Sequence, residues 1–246
     1  MTTPYVSQTQ YGKIEEFNLQ VARGQIAGHS TLNIYGYQPA VSTTSIPVWE
    51  NATAYTYPVS AITMYLSGTA GDTAQILVSG LDSYYLPISE VVTLNGATPV
   101  ATVKQYLRIN NMSVTVGSAT NPAGIVYLKN QAGTVTYAQI NAGIGRTQMA
   151  IYTVPAGYTF YLQRVAIYTS LNGNDYVTYQ NKTISAAGVV QVTQQAPFSV
   201  NYDALRITPR PVLEKTDIQL QCRVQSGTGS VAVAQEGYLI KNETGY

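Results

Sequence analysis

The feature that most constrains the fold is an apolar/polar alternation at period two that recurs along almost the whole chain, while no stretch sustains a helical period beyond a couple of turns. In Val103-Lys104-Gln105-Tyr106-Leu107-Arg108-Ile109, Val103, Leu107 and Ile109 share one face with Gln105, and Lys104, Tyr106 and Arg108 share the other. That pattern predicts a half-buried strand. Similar β-rich runs cover Ser60 to Leu66, Ala74 to Val78, Ile88 to Leu94, Met112 to Val116, Gly124 to Leu128, Gln148 to Val154, Thr159 to Tyr168, Tyr176 to Tyr179, Val189 to Val192 and Val231 to Ile240. In Asp217 to Val224 every second residue is apolar, which makes the single cysteine, Cys222, a small core hydrophobe on an inward strand face.

Gly, Asn, Asp and Pro clusters punctuate these runs, as at Gly68 to Asp72, Asn121 to Gly124, Pro155 to Gly157 and Asn172 to Asp175. Strands at such spacing predict an all-β fold of jelly-roll or β-sandwich modules. Asn95-Gly96 tolerates positive φ and predicts a hairpin between its flanking runs, unless Thr98-Pro99 lengthens the loop. Composition divides the chain into an irregular N-terminal arm (1–48), a first β-sandwich region (49–141) and a second, jelly-roll-like region (142–246). Asn141 to Arg146 reads as a linker between the two. Within the arm Glu15 to Val21 is strand-like, whereas Gly24, Gly28, Gly36 and Pro39 break regularity. The segment either drapes over a domain or supplies edge strands to the first region.

Only 10% of the residues are charged, where a soluble domain carries roughly a quarter. Polarity comes from Thr, Ser, Asn and Gln, which hydrogen-bond without the desolvation cost of a charge when another surface covers them. Tyrosine numbers 21 against 3 Phe and 1 Trp, and it suits both interfaces and half-buried strands. A net charge of +1 without a basic cluster argues against nucleic acid and anionic membrane as partners. The first residues lack a signal-peptide core, and no run reaches the ~18 apolar residues of a membrane span, so folding in a cytosol is expected.

The inventory for catalysis is short. His29 is the single histidine and has no second histidine to pair with. No nucleophile elbow precedes a helix, and no phosphate loop follows a strand. Twelve acids leave a carboxylate pair conceivable, although Asp72 and Asp175 fall in turns and Glu90 on the outward phase of a strand. One Cys and one His make no zinc set, and Asn172 to Asp175 lacks the acids of a calcium loop. The expectation is no enzyme, no catalytic residue, no cofactor and no metal.

Three stretches carry a resemblance: Val21-Ala22-Arg23-Gly24-Gln25-Ile26-Ala27-Gly28-His29-Ser30, Ile88-Ser89-Glu90-Val91-Val92-Thr93-Leu94-Asn95-Gly96 and Tyr152-Thr153-Val154-Pro155-Ala156-Gly157. Together they resemble virion structural proteins of tailed bacteriophages, particularly marine and cyanobacterial phages. The resemblance implies a location in a particle, assembled in the host cytoplasm, rather than a chemistry. It implies a homo-oligomeric subunit on the capsid or at the head-to-tail region, and the leading expectation is a decoration protein, a trimer being one order, that contacts the major capsid protein or other virion proteins. A head-to-tail connector ring and a host-glycan-binding tail module are the alternatives, the latter with Tyr84, Tyr85, Tyr176 and Tyr179 as stacking platforms. The expected partner contacts are Tyr5, Tyr11, Tyr35, Tyr37, Trp49, Tyr84 and Tyr85.

Overall fold

The computed structural model describes residues 15–171 and 175–242. Its first element corrects the expected strand at Glu15 to Val21, because Phe17–Ala22 is a short helix, α1. Phe17 and Leu19 are each 47% exposed, so the alternating face is only half covered: Val21 is buried with Ile26 and Tyr238, and the Phe17 ring meets Tyr238 edge-on at 5.5 Å. Residues 29–47 are not a draped arm. Strand β1 (His29–Val41) and the short β2 (Ile46–Pro47) pair with strands from the far end of the sequence.

The chain then leaves this sheet at Trp49 and builds a separate sandwich from β3 (Ile62–Ser67), β4 (Gln75–Leu81), β5 (Pro87–Thr93), β6 (Val100–Tyr106), β7 (Arg108–Val114), β8 (Val126–Lys129) and β9 (Thr136–Ile140). One sheet runs β6-β3-β8-β9 and the other β5-β4-β7. Met64, Leu66, Ile76, Val78, Met112, Leu128 and Ile140, all fully buried, fill the space between them. Burying such a side chain contributes about 1.5–3 kcal/mol.

The strand expected from Val103 to Ile109 is two strands, and the expected phase is corrected. At Leu107 the chain passes from one sheet to the other. Crossing reverses which phase faces the core, so Tyr106 is fully buried while Val103 is 92% exposed. The Asn95-Gly96 hairpin is also corrected. Gly96 does adopt a positive φ of 58°, and the Thr98 N–H bonds the Asn95 carbonyl, but β5 pairs with β4 and β6 pairs with β3. The turn therefore links two sheets instead of closing one.

The chain returns at Met149, bridged to Trp49, and completes the outer sandwich. Its strands are β10 (Ile151–Thr153), β11 (Tyr158–Thr169), β12 (Val177–Ile184), β13 (Val190–Phe198), β14 (Asn201–Val212), β15 (Asp217–Val224) and β16 (Gly229–Lys241). One sheet runs β1-β16-β11-β14, and the other runs β10-β15-β12-β13 with β2 also on β15. Both are antiparallel. Phe160, Leu162, Val165, Ile167, Tyr179, Leu220 and Cys222 lie between them, as expected of Cys222, and burial pushes its thiol pKa up. The fold is all-β, two sandwiches with the first threaded into the second.

Two glycines permit close approaches. A Cβ on Gly36 would lie 2.6 Å from Ala150 and from the Val48 carbonyl, where β1 crosses the segments entering and leaving the inserted sandwich. A Cβ on Gly237 would lie 2.0 Å from the Tyr161 carbonyl, beside the bulge of β11 against β16.

Candidate contact surfaces and the junction between sandwiches

Along β1 the residues Ile34, Gly36 and Gln38 turn into the core, so Asn33, Tyr35 and Tyr37 stand on the outer face of the sheet. Register extends this face across four strands. Tyr37 lies level with Ala232, Tyr168 and Asn201; Tyr35 with Ala234, Ala166 and Asp203; Asn33 with Glu236, Arg164 and Leu205. Three alanines thus form a low floor on β16 and β11. Tyr35 and Tyr37 wall one side, and Tyr168, 48% exposed, stands on the other, two strands or roughly 10 Å away.

At one end of the floor the Arg164 guanidinium donates to both Asp203 oxygens (2.9 and 2.7 Å) and to Glu236 (3.3 Å). These three charges neutralise much of each other in solvent, and the Arg164 hydrogen bond holds the Asp203 carboxyl below its ordinary range. The face as a whole is aromatic, small-residue and charge-paired.

A second constellation joins the sandwiches. Arg108 of β7 donates from Nε to Asp217 Oδ1 (2.8 Å) and from Nη2 to Oδ2 (3.1 Å) on β15. Its Nη1 satisfies the carbonyls of Leu107 (2.9 Å) and Pro58 (3.1 Å), and its guanidinium lies 4.5 Å over the Tyr57 ring and 5.5 Å from Tyr85. The Thr153 hydroxyl gives Asp217 a third hydrogen bond (2.6 Å). Elsewhere, Glu50 is buried where the chain leaves the outer sandwich. Burial pushes its carboxyl up to about 7, against the opposing pull of N–H groups from Gln148 and Asn141.

The expected contact residues divide. Tyr35 and Tyr37 share the outer face just described. Tyr84 is 75% exposed in the β4–β5 loop, where Asp82 caps the N–H groups of Tyr84 and Leu86, while Tyr85 is turned toward Arg108. Trp49 is corrected as a contact residue: it is 1% exposed, and its indole N–H bonds the Thr53 carbonyl at 2.7 Å inside the inserted core. Tyr179 is likewise no glycan platform, being fully buried against Tyr202. Tyr5 and Tyr11 lie outside the described residues. Sequence reasoning missed Tyr168, Arg164 and Arg108, whose partners are known only once distant strands are paired.

His29 Nδ1 lies 3.0 Å from the Ala27 carbonyl, and its ring lies edge-on to Phe17. Among the described residues no three His, Cys, Asp or Glu side chains converge on one point. Asp72 sits in its turn. Burial pushes its carboxyl up, but N–H donors from Ala123 and Thr69 and the Thr69 hydroxyl outweigh it, so its pKa falls below the ordinary value. Glu90 instead caps the N–H groups of Val103 and Lys104.

No protein-family model matches the sequence, and no curated protein does. Solved structures to which the chain is similar include that of infectious bursal disease virus Gx strain, at 13% identity over 98% of this chain and 80% of that one, with a TM-score of 0.20. They also include the infectious bursal disease virus VP2 subviral particle, at 13% identity over 89% of this chain and 76% of that one, with a TM-score of 0.16. Likeness at this level carries neither partner nor activity across to this chain.

Proposed function

We propose that the protein is a bacteriophage virion structural subunit that attaches to the head as a decoration protein and has no enzymatic activity. The observation that carries this reading is the outer face of the β1-β16-β11-β14 sheet. Aromatic side chains and arginine are enriched in protein interfaces, which describes the tyrosine walls and alanine floor with Arg164 at their end, paired to the Asp203 and Glu236 carboxylates. The sequence resemblance to phage virion proteins supports the same reading. In it the face meets copies of this chain or the major capsid protein. Binding the assembled lattice in preference to free coat protein stabilises the particle by mass action.

The test replaces Tyr35, Tyr37 and Tyr168 together by Ser and measures loading onto particles that lack the protein. All three are at least partly exposed on an outer face, so circular dichroism and melting should change little. Loss of these rings should weaken attachment by at least ~2 kcal/mol, about 30-fold. Undiminished attachment by a folded variant would remove this face from the account.

A further inference from the structure

A cleft of about 240 Å³ lies between the free edge of β1 and the inserted sandwich. It is smaller than the roughly 300–1,000 Å³ of drug-sized sites, which suits a ligand built on one ring. Its polar lining includes Asn33, Tyr35, Ser79, Asn111, Arg146 and Tyr152, and no lining residue is acidic.

Backbone geometry adds to the lining. The Tyr37 N–H donates away from β16, to the Gln148 carbonyl at 3.2 Å. In an antiparallel strand, residues two apart direct their N–H and C=O groups to the same side, and β1 keeps its register from His29 through Gln38. Asn33 and Tyr35 therefore turn an N–H and a C=O each toward the open edge, where no neighbouring strand takes them among the described residues. The Asn111 Oδ1 accepts the Thr147 hydroxyl at 2.7 Å, which leaves its Nδ2 to donate. The exposed Arg146 side chain makes no hydrogen bond or ion pair among the described residues. Leu32 and Met149 add apolar surface.

We propose that this cleft binds a sugar bearing a carboxylate, such as a uronic or sialic acid. Arg146 takes the carboxylate, the one charge the cleft leaves uncompensated. Ring hydroxyls, each donor and acceptor at once, match the paired N–H and C=O groups of Asn33 and Tyr35 and the Asn111 amide. The C–H face of the ring packs on the aromatic and aliphatic lining. An extended peptide fits less well, because the Tyr37 to Gln148 hydrogen bond closes the β1 edge beyond Tyr35. The inference does not depend on the particle reading, since it concerns an edge and a cleft within one chain.

The test is saturation-transfer NMR on the full chain with D-glucuronic acid, N-acetylneuraminic acid, D-glucose and acetate as separate probes, repeated on Arg146→Gln. Arg146 is exposed, so the variant should keep the wild-type melting temperature. At least one acidic sugar should bind, with affinity falling about tenfold or more in Arg146→Gln and with glucose correspondingly weaker. Three results would overturn the proposal: no sugar signal at ~10 mM, acidic-sugar binding indifferent to Arg146→Gln, or acetate binding as strongly as the sugars, which would mark a plain anion contact. Arg223→Gln, on the far side of the outer sandwich's other sheet, serves as the matched charge control.

Discussion

Replacing Arg108 by Met should cost about 4 kcal/mol, because it strands a buried carboxylate at the junction of the two sandwiches. The Asp217 and Arg108 side chains are only 5% and 11% exposed, so neither charge falls back on water. Removing one partner of a buried pair costs ~3–5 kcal/mol, since the survivor keeps its desolvation penalty and loses its compensation. Met would also leave the Pro58 carbonyl without its Nη1 donor and remove the cation from the Tyr57 ring, 4.5 Å away. Asp217→Asn should cost less, ~2–3 kcal/mol, because the guanidinium retains two carbonyls and two rings. The pair Arg108→Met with Asp217→Leu removes both charges, so its cost should fall at least ~2 kcal/mol short of the sum of the singles. Urea unfolding followed by fluorescence suits the measurement, because the only tryptophan, Trp49, is buried where the two sandwiches meet. With a total stability of about 5–15 kcal/mol the losses are large enough to resolve. A cost below ~1 kcal/mol for Arg108→Met, or strict additivity in the double variant, would refute the reasoning.

Other perturbations follow from the same geometry. Glu50 titrates near 7 in the folded chain against an ordinary 4.5, so the native state keeps a proton that the unfolded chain loses, and stability falls as pH rises between those values. Glu50→Gln should therefore match wild type near pH 4 and exceed it by up to ~3 kcal/mol at pH 8 in paired denaturant titrations; parallel curves would show that burial is not raising this carboxyl. Gly36→Ala should destabilise by ~1–3 kcal/mol through overlap with Ala150 and Val48, whereas Gly117→Ala, with no atom within 4 Å of its added Cβ, should be nearly neutral by thermal melting.

The alternating pattern made most strands legible, including β4, β5, β11, β15 and β16, because each has one face on a core. It failed where local pattern and global pairing part. Val103 to Ile109 alternates as though continuous, yet Leu107 is a crossing point and Tyr106 takes the core position. Strand β14 carries Asp203, Arg206, Pro209 and Pro211, a composition that reads as loop but is tolerated at a sheet edge, where missing N–H donors break no ladder. The pairing of β1 with β16 joins residues about 200 positions apart, which no local signal encodes. For the same reason the sequence offers Tyr35 and Tyr37 only as expected contacts, and the floor they share with Tyr168 emerges once the strands are paired. Trp49, expected among the contact residues, is buried because the nested topology bridges it to Met149.

The proposed decoration role makes this chain a subunit of the icosahedral head lattice, and the copy number and position of the protein in purified virions test that role. Quantitative mass spectrometry against the major capsid protein, joined to particle reconstruction, gives both. The account predicts an icosahedral complement of roughly scores to hundreds of copies per particle, with the Tyr35, Tyr37 and Tyr168 face covered by a neighbouring subunit. A single ring of about a dozen copies or fewer, that face open to solvent in the particle, or absence of the chain from virions would contradict it.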